Sequence, residues 1–90
     1  MPESKLWMYQ GTVVGATGPR QWLVAFLRSE DPLEIRARVG RVLEMECLVE
    51  IEMREIEEFD YARRFRGQAA KDALETGQAG ELGYFFVLLA

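Results

Sequence analysis

Histidine is absent from this chain and cysteine occurs once, which removes the usual ligands and shuttles of several common chemistries. A lone thiol closes no internal disulfide, and there is no Cys or His pairing of the kind that builds a zinc site. Proton transfer near neutral pH lacks its most frequent carrier. Cys47 has no imidazole base to activate it, so it reads as a small core residue rather than a nucleophile. Long apolar runs are missing too. The longest, Trp22–Leu27 and Tyr84–Ala90, fall well short of the roughly 18 to 20 residues that cross a bilayer. The first ten residues, MPESKLWMYQ, show no basic region followed by an apolar stretch and a cleavage site. A soluble protein in a reducing, cytoplasmic setting is expected, with no membrane partner and no cofactor.

What is present suffices for one folded domain over residues 1–90. The chain is 49 % hydrophobic and holds two Trp, three Tyr and five Phe, enough bulk for a real core. The first strand reads as Leu6–Val14. The segment Gly15-Ala16-Thr17-Gly18-Pro19-Arg20 then supplies turn-forming residues. Its Val14-Gly15-Ala16-Thr17-Gly18 portion resembles a dinucleotide-binding turn, but Pro19 and a second apolar strand follow where a helix is needed. That strand, Trp22–Leu27, is apolar on both parities and is the candidate for the sheet centre.

Helix signals come next. Asp31 is placed to cap, Pro32 suits the first helical position, and Glu34 stands where a capping box puts its acid. Ile35, Val39, Val42 and Leu43 then recur at helical spacing up to about Met45. From Cys47 the pattern has period two, with Cys47, Val49, Ile51 and Met53 expected inward and Leu48, Glu50, Glu52 and Arg54 outward. Parity slips after Met53, so a bulge is expected near Arg54-Glu55. Asp60 is placed to cap a second helix, Tyr61 to about Thr76, with an inner face of Tyr61 or Ala62, Phe65, Ala69 and Ala73. A last strand runs from Leu82 to Leu89. The element order is therefore β-β-α-β-α-β. It predicts an α+β fold, a two-layer sandwich in which right-handed crossovers put both helices on one face of a four-stranded sheet. The composition resembles ferredoxin-like plaits, but their element order differs.

Charge is segregated within this frame. Glu44–Asp60 holds eight of the fifteen acidic residues and, at Arg54, one of the eleven basic ones, in a chain of net charge −4. Glu50 and Glu52 could act as an acid–base pair, or hold a hard cation with Glu55, Glu57 or Asp60, but their spacing is also that of an ordinary solvated strand face. A rigid row of carboxylates can instead meet a Lys- and Arg-lined cleft of another protein. Net acidity argues against direct nucleic-acid binding. Arg36, Arg38, Arg41, Arg63, Arg64 and Arg66 are available either to neutralise the acidic strand or to form an anion-binding patch. Trp7, Tyr9 and Trp22 belong to the core or, if exposed, to a binding hot spot.

The overall plan is a small acidic domain in which Phe26-Leu27-Arg28-Ser29-Glu30-Asp31-Pro32-Leu33 leads a strand into a helix and the last strand is hydrophobic. In this it is similar to phage-encoded inhibitors of the anti-CRISPR kind. The resemblance implies binding to a nucleic-acid-processing complex and assigns no residue. The expectation is a non-enzymatic protein-binding module, most concretely an inhibitor, whose Glu50, Glu52, Glu55, Glu57, Glu58 and Asp60 meet a partner's basic surface. The alternative is a small regulatory or ligand-sensing domain that forms a homodimer through an exposed strand.

Overall fold

A computed structural model describes residues 3–62 and 65–89. Strands β1 (Lys5–Gly15), β2 (Gln21–Ser29), β3 (Leu48–Glu58) and β4 (Gly83–Leu88) form one antiparallel sheet in the order β3-β1-β2-β4. Helix α1 (Pro32–Met45) joins β2 to β3, and α2 (Gln68–Gln78) joins β3 to β4. The expected α+β class and element order are both present. β2 lies in the interior of the sheet, as a run apolar on both parities requires.

The helices, however, occupy opposite faces rather than one. Tyr9, Val13, Leu23, Ala25 and Leu27, all of one parity, pack with Ile35, Val39 and Leu43 of α1. Leu6, Met8, Val24 and Phe26, of the other parity, pack with Ala73 of α2 and with Phe59. The reason is directional. β2 and β3 are each antiparallel to β1, so they run parallel and α1 makes a crossover between parallel strands. β4 is antiparallel to β2 and therefore to β3. The handedness rule governs parallel crossovers and leaves α2 unconstrained. The apolar second face of β2 is what draws α2 across.

Local sequence sets the helix ends. Asp31 caps α1, its Oδ1 accepting from Leu33 N at 2.9 Å. The reciprocal half of the capping box is relayed through Ser29, whose Oγ accepts from Asp31 N at 3.1 Å and donates to Glu34 Oε2 at 2.6 Å. Helix α2 starts at Gln68, not at Tyr61. Asp60 instead closes a short turn, accepting from Ala62 N at 2.9 Å, and the chain enters α2 through Gly67 at φ 97°. The aromatic residues of the intervening segment are used for packing. Phe59 and Phe65 set their rings edge-on to Phe26 at centroid distances of 5.4 and 5.7 Å. The buried stripe of α2 is Ala70, Ala73 and Gly77, with Ala69 exposed.

Small residues let α2 lie close to the sheet. A Cβ on Gly83 would overlap the Ala73 carbonyl oxygen and come within 2.7 Å of its carbon. Trp7 is half-buried with its indole N–H donating to Ser29 O at 3.0 Å, and Tyr9 is fully buried. Trp22 is half-buried against the α2-side core, and its indole nitrogen has no hydrogen-bond partner among the described residues. All three belong to the core, not to an exposed hot spot.

Candidate functional site

Strand β3 is one edge of the sheet and carries Glu50, Glu52, Arg54, Glu55, Glu57 and Glu58. Its pairing with β1 decides where these side chains go. Glu58 pairs with Trp7, Glu57 with Met8, Ile56 with Tyr9 and Glu55 with Gln10. Gly11 then pairs with Met53, which leaves Arg54 extra. Thr12 pairs with Glu52 and Val13 with Glu50, which leaves Ile51 extra. These are two bulges. The one at Arg54 was expected, and the one at Ile51 was not.

Each bulge shifts the alternation by one residue, so the helix-facing positions of β3 are Leu48, Glu50, Met53, Ile56 and Glu58. The expected inward set is overturned. Leu48 and Ile56 pack on the α1-side core, while Val49, Ile51 and Met53 are exposed, Val49 at 65 %. Cys47 is not a core residue either. It is exposed in the turn before β3, with φ 55°. A turn at that position needs a left-handed residue, and the side chain points to solvent.

The six carboxylates therefore do not form one row. Glu50 points toward α1, where it accepts the Tyr9 hydroxyl hydrogen bond and lies 3.3 Å from Arg36 Nη2. The Tyr9 ring reaches it by passing over Gly11, where a Cβ would overlap the hydroxyl and come within 2.8 Å of Cζ. Burial, and then the adjacent Glu50 carboxylate, push the Tyr9 phenol well above its ordinary pKa. Arg36 Nη1 also contacts the Met53 sulfur. Glu58, on the same face, lies 3.8 Å from Lys5 Nζ. Asp60 is spent on its turn.

Glu52, Glu55 and Glu57 stand on the other face of β3. There Glu55 accepts from the buried Gln10 side-chain amide, and Glu55 and Glu57 each have a further interaction. Glu52 and Glu57 are exposed, Glu55 half-buried. Helix α2 covers β2 and β4 on this side, not β3.

The arginines divide as well. Arg36 neutralises Glu50, Arg38 pairs with Glu34 within α1 at 3.3 Å, and Arg63 and Arg64 lie outside the described residues. Among the described residues no three acidic or thiol side chains converge to hold a metal ion, and no helix is long and apolar enough to cross a membrane. Glu50 and Glu52, on opposite faces, cannot act as an acid–base pair on one substrate.

The partnership of Tyr9 with Glu50 was not foreseen. It depends on the bulge at Ile51, which no break in the alternation of the sequence marks. No protein-family model, curated protein or solved structure matches this chain.

Proposed function

We propose that this domain is a non-enzymatic protein-binding module. It presents the Glu52, Glu55 and Glu57 face of β3 to a basic surface of its partner, in the concrete form of an inhibitor that occupies a Lys- and Arg-lined nucleic-acid cleft. The observation that carries this reading is the charge of β3. Five carboxylates and one guanidinium fall on a single edge strand, and three of the five stand together on a face that neither helix covers. The patch is smaller than the sequence suggested, because Glu50, Glu58 and Asp60 are engaged elsewhere. Glu55 keeps its charge in the hydrogen bond it accepts from the neutral Gln10 amide, and the exposed Glu52 adds to the same face. Encounter with a basic partner is accelerated by such a field and slowed by salt.

The test compares two sets of substitutions with equal loss of charge. Partner capture from cells that produce the protein, followed by titration with the isolated partner, gives an affinity and its salt dependence. Glu52→Gln, Glu55→Gln and Glu57→Gln together should weaken binding and flatten the salt dependence. Glu30→Gln, Glu75→Gln and Glu81→Gln together, all exposed and none of them on β3 or in the turn that leads into it, should change both far less. Equal effects from the two sets would reduce the patch to a contribution from net charge alone.

A further inference from the structure

The other edge of the sheet differs from β3 in every respect that governs strand pairing. β4 has the sequence GYFFVL, without a charge or a proline, and pairs with β2 without a bulge. Natural edge strands are ordinarily protected by charges, bulges or a covering element. β3 has the first two of these; β4 has neither, and among the described residues no element lies along its outer edge. Helix α1 lies over β1, β2 and β3 and stops short of β4, while α2 covers β4 on the opposite face only.

The open side of β4 can be assigned residue by residue. Leu89 N donates to Arg20 O at 3.1 Å, so alternation along an antiparallel ladder turns the backbone groups of Val87, Phe85 and Gly83 toward β2. Those of Tyr84, Phe86 and Leu88 turn outward. The side chains of the same three residues lie on the α1 side of the sheet, at its margin beyond that helix, where Phe86 is partly buried against the α1-side core. Tyr84 and Phe86 sit edge-to-face at 5.9 Å, and Leu88 is 66 % exposed.

From this edge we infer that two copies of the chain join through β4, antiparallel about a two-fold axis at Phe86, into one eight-stranded sheet. Phe86 pairs with its own copy and Tyr84 with Leu88 of the other. The outward N–H and C=O groups of all three residues then find partners, and the two Tyr84-Phe86 pairs and two Leu88 side chains merge into one apolar strip. Of the two edges, charge leaves β4 and not the acidic β3 free to meet its own copy. The neutral edges meet while the acidic β3 strands take the two outer positions, seven strand spacings or about 34 Å apart. That is several times the Debye length of about 8 Å at physiological salt, so like charge does not oppose assembly. The inference is independent of the acidic patch, which lies on the opposite edge of each copy.

Sedimentation velocity of the whole chain from about 1 to 500 μM, at physiological salt, tests it. The expected result is a concentration-dependent monomer–dimer equilibrium. Leu88→Lys should raise the dissociation constant roughly tenfold or more, as a charge on an edge strand does. Ile51→Lys, on β3, should leave it unchanged. Amide hydrogen exchange of the unmodified chain supplies a readout that no folding defect can imitate. Between the dilute and concentrated ends, protection should rise at Tyr84, Phe86 and Leu88 and stay constant at Phe85 and Val87. A monomer at every concentration overturns the proposal, whether the edge then serves a strand from a different protein or none. So does dissociation by Ile51→Lys but not Leu88→Lys, or concentration-independent protection at Phe86.

Discussion

Glu50 and Glu52 are two residues apart on β3, yet they pair with adjacent residues of β1, Val13 and Thr12, and so stand on opposite faces of the sheet. The extra residue between them, Ile51, separates a carboxylate that holds the fold together from one that faces solvent. Glu50 accepts from a fully buried phenol and bonds Arg36. Replacing Glu50 with Ala leaves the Tyr9 hydroxyl without its acceptor and should cost about 1–3 kcal/mol. Glu50→Gln keeps a carbonyl oxygen for Tyr9 and should recover most of that loss. Glu52→Ala removes no side-chain hydrogen bond among the described residues and should lie within about 0.5 kcal/mol of the parent. Urea denaturation of the three variants gives the comparison. Equal losses at the two positions would mean that Ile51 is not a bulge in solution.

Those same two residues mark where sequence reading succeeds and where it stops. The capped start of α1, the doubly apolar β2 and the order of elements depend on local chemistry, which is written in a few consecutive residues. The bulge at Arg54 was legible because Glu55 and Ile56 break the alternation in plain view. The bulge at Ile51 was not, because two slips of one residue restore the original parity. Leu48 and Ile56 then face the same way across an even spacing, and nothing between them announces the change. The faces chosen by the helices escaped for a different reason. They depend on the direction of β4 relative to β3, a non-local property that no periodicity records. The start of α2 was misplaced because Phe59 and Phe65 satisfy the core from an irregular segment, which a helical pattern over Tyr61–Thr76 had absorbed.

Tyr9 gives the fold a pH dependence at the alkaline end. Burial and the Glu50 carboxylate raise its pKa in the folded chain, whereas an unfolded tyrosine titrates near about 10. A group whose pKa is raised on folding contributes stability that is fully present below its unfolded pKa and is lost as pH rises toward the folded one. Unfolding free energy should therefore be insensitive to Tyr9 from pH 7 to about 9 and fall progressively above about 10. The difference between the parent and Tyr9→Phe isolates this from the titration of lysines. At pH 7 the parent should be the more stable by about 1 kcal/mol, the usual net worth of a hydrogen bond. That advantage should shrink and then reverse as pH rises. A constant difference between the two proteins from pH 8 to 11 would contradict the buried pairing.

Two glycines that a sequence treats alike should respond to alanine in opposite directions. Gly40 lies within α1, and a Cβ there would meet nothing within 4 Å. Alanine restricts the unfolded chain and suits a helix interior, so Gly40→Ala should stabilise the domain by about 0.5–1 kcal/mol. Gly83 begins β4 under α2, where an added Cβ runs into the backbone of Ala73 rather than into a side chain that could rotate away. The helix itself must lift, which loosens the contact of Ala70, Ala73 and Gly77 with the sheet. Overpacking of this kind costs about 1–3 kcal/mol. The loss should be accompanied by faster amide exchange along α2, with α1 unaffected because it packs on the other face. Thermal melts rank the two variants, and exchange rates locate the damage. A Gly83→Ala protein as stable as the parent, with α2 still protected, would show that the helix does not approach β4 as closely as its small-residue stripe allows.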